Sequence, residues 1–206
     1  MFREKLFCYC LLAAVMLFHI KCDSNKQRVV KYYYDDGSIE AEIHVKNDRL
    51  NGPAKYYYSS GKLRELIPYV DGKLEGEGFD YYENGSLKFV RNFKDDYLHG
   101  RTIEYDENEQ VINRTEYNNG KVVFNVSFYP SGDTSAIHEN GRTYIYFETG
   151  KVKHVLCACD TEVFSSVQFS AAGEILKRKG SLDCLTKKDS LLLARQYPGW
   201  EEKSVE

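Results

Sequence analysis

From Ile39 the chain alternates. Ile39, Ala41, Ile43 and Val45 are apolar, while Glu40, Glu42 and His44 between them are polar. A period of two places each set on one side of an extended chain, so this stretch predicts a β-strand with one buried face. An aromatic run, Tyr32-Tyr33-Tyr34, precedes it, with Asp36-Gly37 between the two. Glycine supplies the positive φ that a tight hairpin turn needs. Ser60-Gly61, Asn84-Gly85, Ser131-Gly132 and Thr149-Gly150 also sit between aromatic and aliphatic runs, so the repeating element is a hairpin. A second turn, at Asn51-Gly52 or Asn119-Gly120, is expected to return the chain to the next aromatic cluster.

The hairpins recur on a fixed period. Gly37, Gly61 and Gly85 are 24 residues apart, as are Leu50, Leu74, Leu98 and Val122. Tyr57, Tyr81, Tyr105 and Tyr129 make a third column at this step, and Val45, Tyr69, Phe93 and Tyr117 a fourth. Asn108-Glu109 stands where the fourth glycine would fall, and the spacing shortens to 18 residues before Gly150. Phe169 to Gly173 reproduces the aromatic-to-glycine element a last time, for about seven units. An isolated hairpin is marginal in water, so each unit must pack on its neighbours. The fold class is therefore all-β: an elongated meander of stacked hairpins over residues 32–180, roughly 65 Å long at about 4.8 Å per strand. Asp189 to Tyr197, with Leu191, Leu192 and Leu193 and a stop at Pro198-Gly199, predicts a short helix within 181–206 capping the open end.

Composition agrees with strands and turns, with 17 Tyr, 11 Phe and 15 Gly against 4 Pro and 2 Met. A net charge of −3 from interleaved signs excludes the concentrated basic surface that nucleic acid requires. It also excludes a polybasic membrane patch.

The first residues form a separate segment. Arg3 and Lys5 precede an apolar run from Leu6 to Phe18, which is the layout of an export signal and shorter than a membrane span. Cys22 and the polar stretch Asp23 to Arg28 follow, resembling the end of a bacterial lipoprotein signal, whose cysteine becomes the lipidated first residue. Lys21 departs from the small residue usual there. Lipidation at Cys22, ordinary cleavage near Ser24 and an uncleaved anchor stay open. On this reading residues 1–22 are the signal, 23–31 a linker, and the mature chain lies in a bacterial cell envelope, at the outer membrane or in the periplasm.

Tyr57-Tyr58-Ser59-Ser60-Gly61-Lys62-Leu63 with Asp71-Gly72-Lys73-Leu74-Glu75-Gly76, and Tyr81-Tyr82-Glu83-Asn84-Gly85-Ser86-Leu87 with Leu98-His99-Gly100, carry a family pattern. It resembles the bacterial MORN repeat variant found in the family labelled YwqK-type antitoxins. The resemblance covers about residues 32–176, most clearly in the first three units. It implies stacked β-hairpins, and roles in protein assembly or attachment near membranes.

Little in the chain suggests chemistry. Cys157, Cys159 and Cys184 with His154 form the one cluster that invites a metal, but positions 157 and 159 of a strand face away from 154. In an exported chain a disulfide from Cys184 to Cys157 or Cys159 is the expectation, with unpaired buried cysteines as the alternative. His44, His99 and His138 fall in different units and are read as surface residues, and no acidic pair has a reason to be buried. No catalytic residue, metal site or cofactor is therefore expected. Tyr57, Tyr81, Tyr105 and Tyr129 have two readings: a packing ladder, or an exposed platform for a glycan or lipid headgroup. The favoured function is a non-enzymatic envelope protein that binds another protein, with edge addition of a strand as one mode. Carbohydrate or headgroup binding is the alternative, and antitoxin-like capture of a partner a lesser one.

Overall fold

A computed structural model describes residues 26–158, 164–179, 192–193 and 195–197. Cys22, Cys159 and Cys184 lie outside the described residues, as does the export segment. The described chain forms seven hairpins. They are β1 (Gln27–Tyr33) with β2 (Ile39–Lys46), and β3 (Arg49–Tyr57) with β4 (Leu63–Val70). β5 (Lys73–Leu74) pairs with β4, and β6 (Gly76–Tyr81) with β7 (Leu87–Lys94); β8 (Tyr97–Leu98) pairs with β7, and β9 (Gly100–Tyr105) with β10 (Val111–Asn118). β11 (Lys121–Phe128) with β12 (Thr134–Glu139), β13 (Arg142–Tyr146) with β14 (Val152–Ala158), and β15 (Phe164–Phe169) with β16 (Ile175–Lys179) complete the array. All belong to one antiparallel sheet in chain order, with the short β5 and β8 beside β4 and β7. The array begins at Gln27, inside the stretch expected to be linker, because β1 pairs along its length with β2.

Turns of two kinds alternate along the two edges. At the first edge, Gly37 N–H donates to Tyr34 O and Tyr34 N–H to Ser38 O, each at 2.9 Å. The same pair of bonds forms around Tyr58, Tyr82, Asp106, Tyr129, Phe147 and Ser170. This is a three-residue loop closed by a left-handed residue, followed by a bulge that shifts the register. Glu109 takes the left-handed place in the fourth loop, with φ at +62°. At the second edge the turns have two residues, both with positive φ: Asn47-Asp48, Asp71-Gly72, Asp95-Asp96, Asn119-Gly120 and Asn140-Gly141. That is the primed geometry which matches strand twist, and Asn, Asp and Gly tolerate it. Asn119-Gly120 turns as expected. Asn51-Gly52 does not: it lies within β3, and Asn47-Asp48 makes that turn instead.

The columns read from sequence become contacts. Val45, Tyr69, Phe93 and Tyr117 stand directly opposite Leu50, Leu74, Leu98 and Val122. Gly72 N–H donates to Leu50 O at 2.7 Å, and Gly120 N–H to Leu98 O at 2.8 Å, joining one unit to the next at this edge. One column needs correction. The loop bonds set Tyr129 with Tyr34, Tyr58 and Tyr82, and Phe128 takes the place that Tyr57, Tyr81 and Tyr105 occupy. The step from Glu109 to Gly132 is 23 residues, and the missing residue moves every later column by one.

A single-layer sheet buries little completely. Ala41, Val45 and Ala54 form a small centre in the first units. The larger one is Val152, Val155, Cys157, Val167 and Phe169, under Leu193 and Tyr197. The residues at 192–193 and 195–196 are helical, as the tail predicts. Gln196 accepts from Val152 N–H at 2.8 Å and donates to Gly150 O at 3.2 Å, while the Tyr197 hydroxyl donates to Val152 O. Tyr197 also stacks on Phe169 with ring centroids 5.0 Å apart. The described tail residues thus cover the sheet face over β14 and β15, while all five residues of β16 are exposed.

Candidate functional site: the two edges of the sheet

The first edge is built by tyrosines. The second aromatic residue of each pair donates its hydroxyl to the main-chain carbonyl of the first aromatic residue in the next unit: Tyr34 to Tyr57 at 2.6 Å, Tyr58 to Tyr81 at 2.8 Å, and Tyr82 to Tyr105 at 2.9 Å. Tyr129 continues the series to Tyr146 at 2.6 Å. Lys62 Nζ reaches Glu83 O at 2.8 Å, and Asn84 Nδ2 reaches Glu107 O at 3.4 Å, so successive loops are tied as well. Reading the sequence misses this column, although Tyr34, Tyr58 and Tyr82 share its 24-residue step.

Tyr57, Tyr81 and Tyr105 are half-buried, with their carbonyls occupied by the ladder. The Tyr57 hydroxyl donates to Glu42 Oε2 at 2.9 Å, and Lys31 Nζ lies 2.7 Å from Glu42 Oε1. Hydrogen bonding from Lys31, then from Tyr57, holds the Glu42 carboxyl below its usual range. Burial, then the Glu42 contact, raises the Tyr57 phenol.

The ladder breaks once within its run. The fourth loop carries Asp106 where a tyrosine would stand, and its Oδ1 accepts from Asn108 N–H and Gln110 N–H, both at 2.9 Å. A carboxylate that folds back on its own loop does not reach the next unit. A cleft of about 320 Å³ opens there, between Gln110, Val111 and Arg114 on one side and Phe128 to Gly132 on the other. Arg114 lies over the Phe128 ring, 5.3 Å from its centroid. It interrupts an otherwise apolar cross-strand row of Leu66, Phe79, Val90 and Ile103 before, and Val126 and Ile137 after.

The second edge presents apolar side chains to solvent. Tyr97 is 57 % exposed, Val70 50 %, Val122 47 % and Val123 48 %. Tyr97 lies across the neighbouring turn, with its Cδ1 3.3 Å from where a Cβ on Gly120 would stand. The sheet face that carries Ala41, Tyr56 and Phe89 also holds polar clusters: Arg91 pairs with Asp80 and reaches Glu65 at 3.9 Å, and Asn125 donates to Asn113 at 2.5 Å and Thr115 at 2.8 Å.

The remaining residues singled out in the sequence are spread apart. Cys157 is a buried free thiol in β14. His44, His99, His138 and His154 are half-buried, more enclosed than surface residues. His138 Nδ1 is 2.9 Å from Thr143 Oγ1, and His99 Nδ1 is enclosed without a partner. Among the described residues no three His, Cys, Asp or Glu side chains converge as metal ligands, and no helix is long and apolar enough to cross a membrane.

This architecture defines a single-sheet repeat protein made of β-hairpins. The repeats are of a known type: residues 29–47, 50–71, 74–95 and 98–123 match the model of the MORN repeat variant, in four repeats. The later units lie outside that match. No curated protein matches the chain. Among solved structures, a GtfA/B complex bound to UDP and GlcNAc is 11 % identical, with a TM-score of 0.27, over 57 % of this chain and 22 % of that one. A protein of unknown function from Bacteroides fragilis is 8 % identical, with a TM-score of 0.18, over 78 % of this chain and 96 % of that one.

Proposed function

We propose that this chain is a non-enzymatic repeat protein of a bacterial cell envelope that binds another envelope protein and holds it in place. The observation that carries this reading is the second edge, where Val70, Tyr97, Val122 and Val123 stay exposed on a scaffold braced from unit to unit. Exposed apolar side chains along one edge mark an association surface, and a prearranged backbone lowers the entropy lost on docking. The charged and apolar N-terminal segment supports export, and Cys22 is the residue that would take a lipid anchor.

A photo-crosslinking residue placed at Tyr97 in the source cell tests the reading, with the same residue at Asn84 on the opposite edge as control. The expected result is a discrete protein adduct from position 97 that position 84 does not give. Equal labelling from both positions, or no protein adduct, refutes it. For the anchor, Cys22→Ser should release the chain from the membrane fraction.

A further inference from the structure

We infer that the cleft at the break in the tyrosine ladder is a seat for a tyrosine side chain presented by another polypeptide. The seat is defined by its counterparts. In the first three units the same place, between one loop and the next, is filled by Tyr34, Tyr58 or Tyr82, whose hydroxyl meets the carbonyl of Tyr57, Tyr81 or Tyr105. Phe128 stands in the fourth instance of that carbonyl position, and among the described residues no side-chain hydroxyl reaches it, because Asp106 bonds within its own loop.

The lining fits a phenol ring. Val111, Phe128 and Pro130 supply apolar walls, and Arg114 brings a guanidinium. Among the described residues no carboxylate pairs with Arg114, whose guanidinium lies over the Phe128 ring. An unpaired guanidinium attracts the negative face of an aromatic ring, so its charge complements the ring that the cleft would take. The volume of about 320 Å³ admits a single aromatic side chain with room for its approach. This seat is on the tyrosine edge, away from Tyr97, and does not depend on the surface proposed above.

The test uses p-cresol, the side chain of tyrosine, titrated onto the protein and followed by amide NMR shifts. Saturable shifts are expected at Gln110, Arg114, Ser131 and Gly132, and toluene, which lacks the hydroxyl, should bind more weakly. Asp106→Tyr should fill the cleft from within, raise the melting temperature and abolish the shifts. Arg114→Leu, which leaves the loops intact, should weaken p-cresol by about threefold or more. Absence of saturable shifts in the unmodified protein overturns the proposal. So do shifts that persist in folded Asp106→Tyr, or an affinity unchanged in Arg114→Leu.

Discussion

The hydroxyl of Tyr82 donates to the main-chain carbonyl of Tyr105 at 2.9 Å, across 23 residues of sequence. Strand pairing already joins the two units, since β7 pairs with β9. The tyrosine adds a second tie at the sheet edge, where an end carbonyl would otherwise face solvent. Repeated along the array, such ties make the stability of each unit depend on its neighbours.

Removing one rung should therefore be measurable and local. Tyr58→Phe keeps the ring and deletes the bond to Tyr81 O. A loss of about 1 kcal/mol is expected from urea unfolding. Amide exchange should quicken first in the loops around Gly61 and Gly85. A variant as stable as the parent would mean that water replaces the hydroxyl without loss.

Glu109→Gly should have the opposite sign. Glu109 holds φ at +62° in a loop position that glycine fills in the other six units. Relief of the left-handed strain on a side chain outweighs the extra freedom of glycine when unfolded, for a gain of about 0.5–1 kcal/mol. The reading is the shift in the thermal or urea midpoint.

The C-terminal cover should be sensitive at Gly173. A Cβ there would collide with the Tyr197 ring, and φ is +97°. Gly173→Ala must push Tyr197 off Phe169 and away from Val152, at a cost of about 2–4 kcal/mol. Gly37→Ala has the same kind of backbone but nothing within 4 Å, so it should cost only about 1–2 kcal/mol. Proteolysis after the Gly173 change should begin in the tail and the last two hairpins.

Stability should also depend on pH through His154. Burial, then Lys153 and Lys177, hold its imidazole below the ordinary value of 6.5. As pH falls through 6.5 the unfolded chain takes up this proton before the folded chain does. The contribution of the neutral ring is therefore complete above pH 6.5 and declines below it until the folded ring also protonates. Its cross-strand neighbours Ile145 and Gln168 are uncharged and offer no compensation. Urea midpoints at pH about 5 and about 8 should differ less in His154→Gln than in the parent. An equal difference in both would assign the slope to other groups.

The sequence by itself determined the hairpin unit, its period and the loops of the first edge. Each follows from local requirements: alternation of two for a strand, and positive φ at Gly37, Gly61 and Gly85. Asn51-Gly52 shows the limit of that logic, because a positive-φ glycine serves a bulge inside β3 as well as a turn. Only the tertiary structure decided which tyrosine of each pair reaches the next unit. The side of the strand and the distance between stacked loops set that, and neither is written in spacing. The 23-residue step that moves Tyr129 into the ladder column became visible through the bonds of its loop. The cleft beside Asp106 is of the same kind: one substitution in a repeat, given meaning by the contacts that its neighbours make.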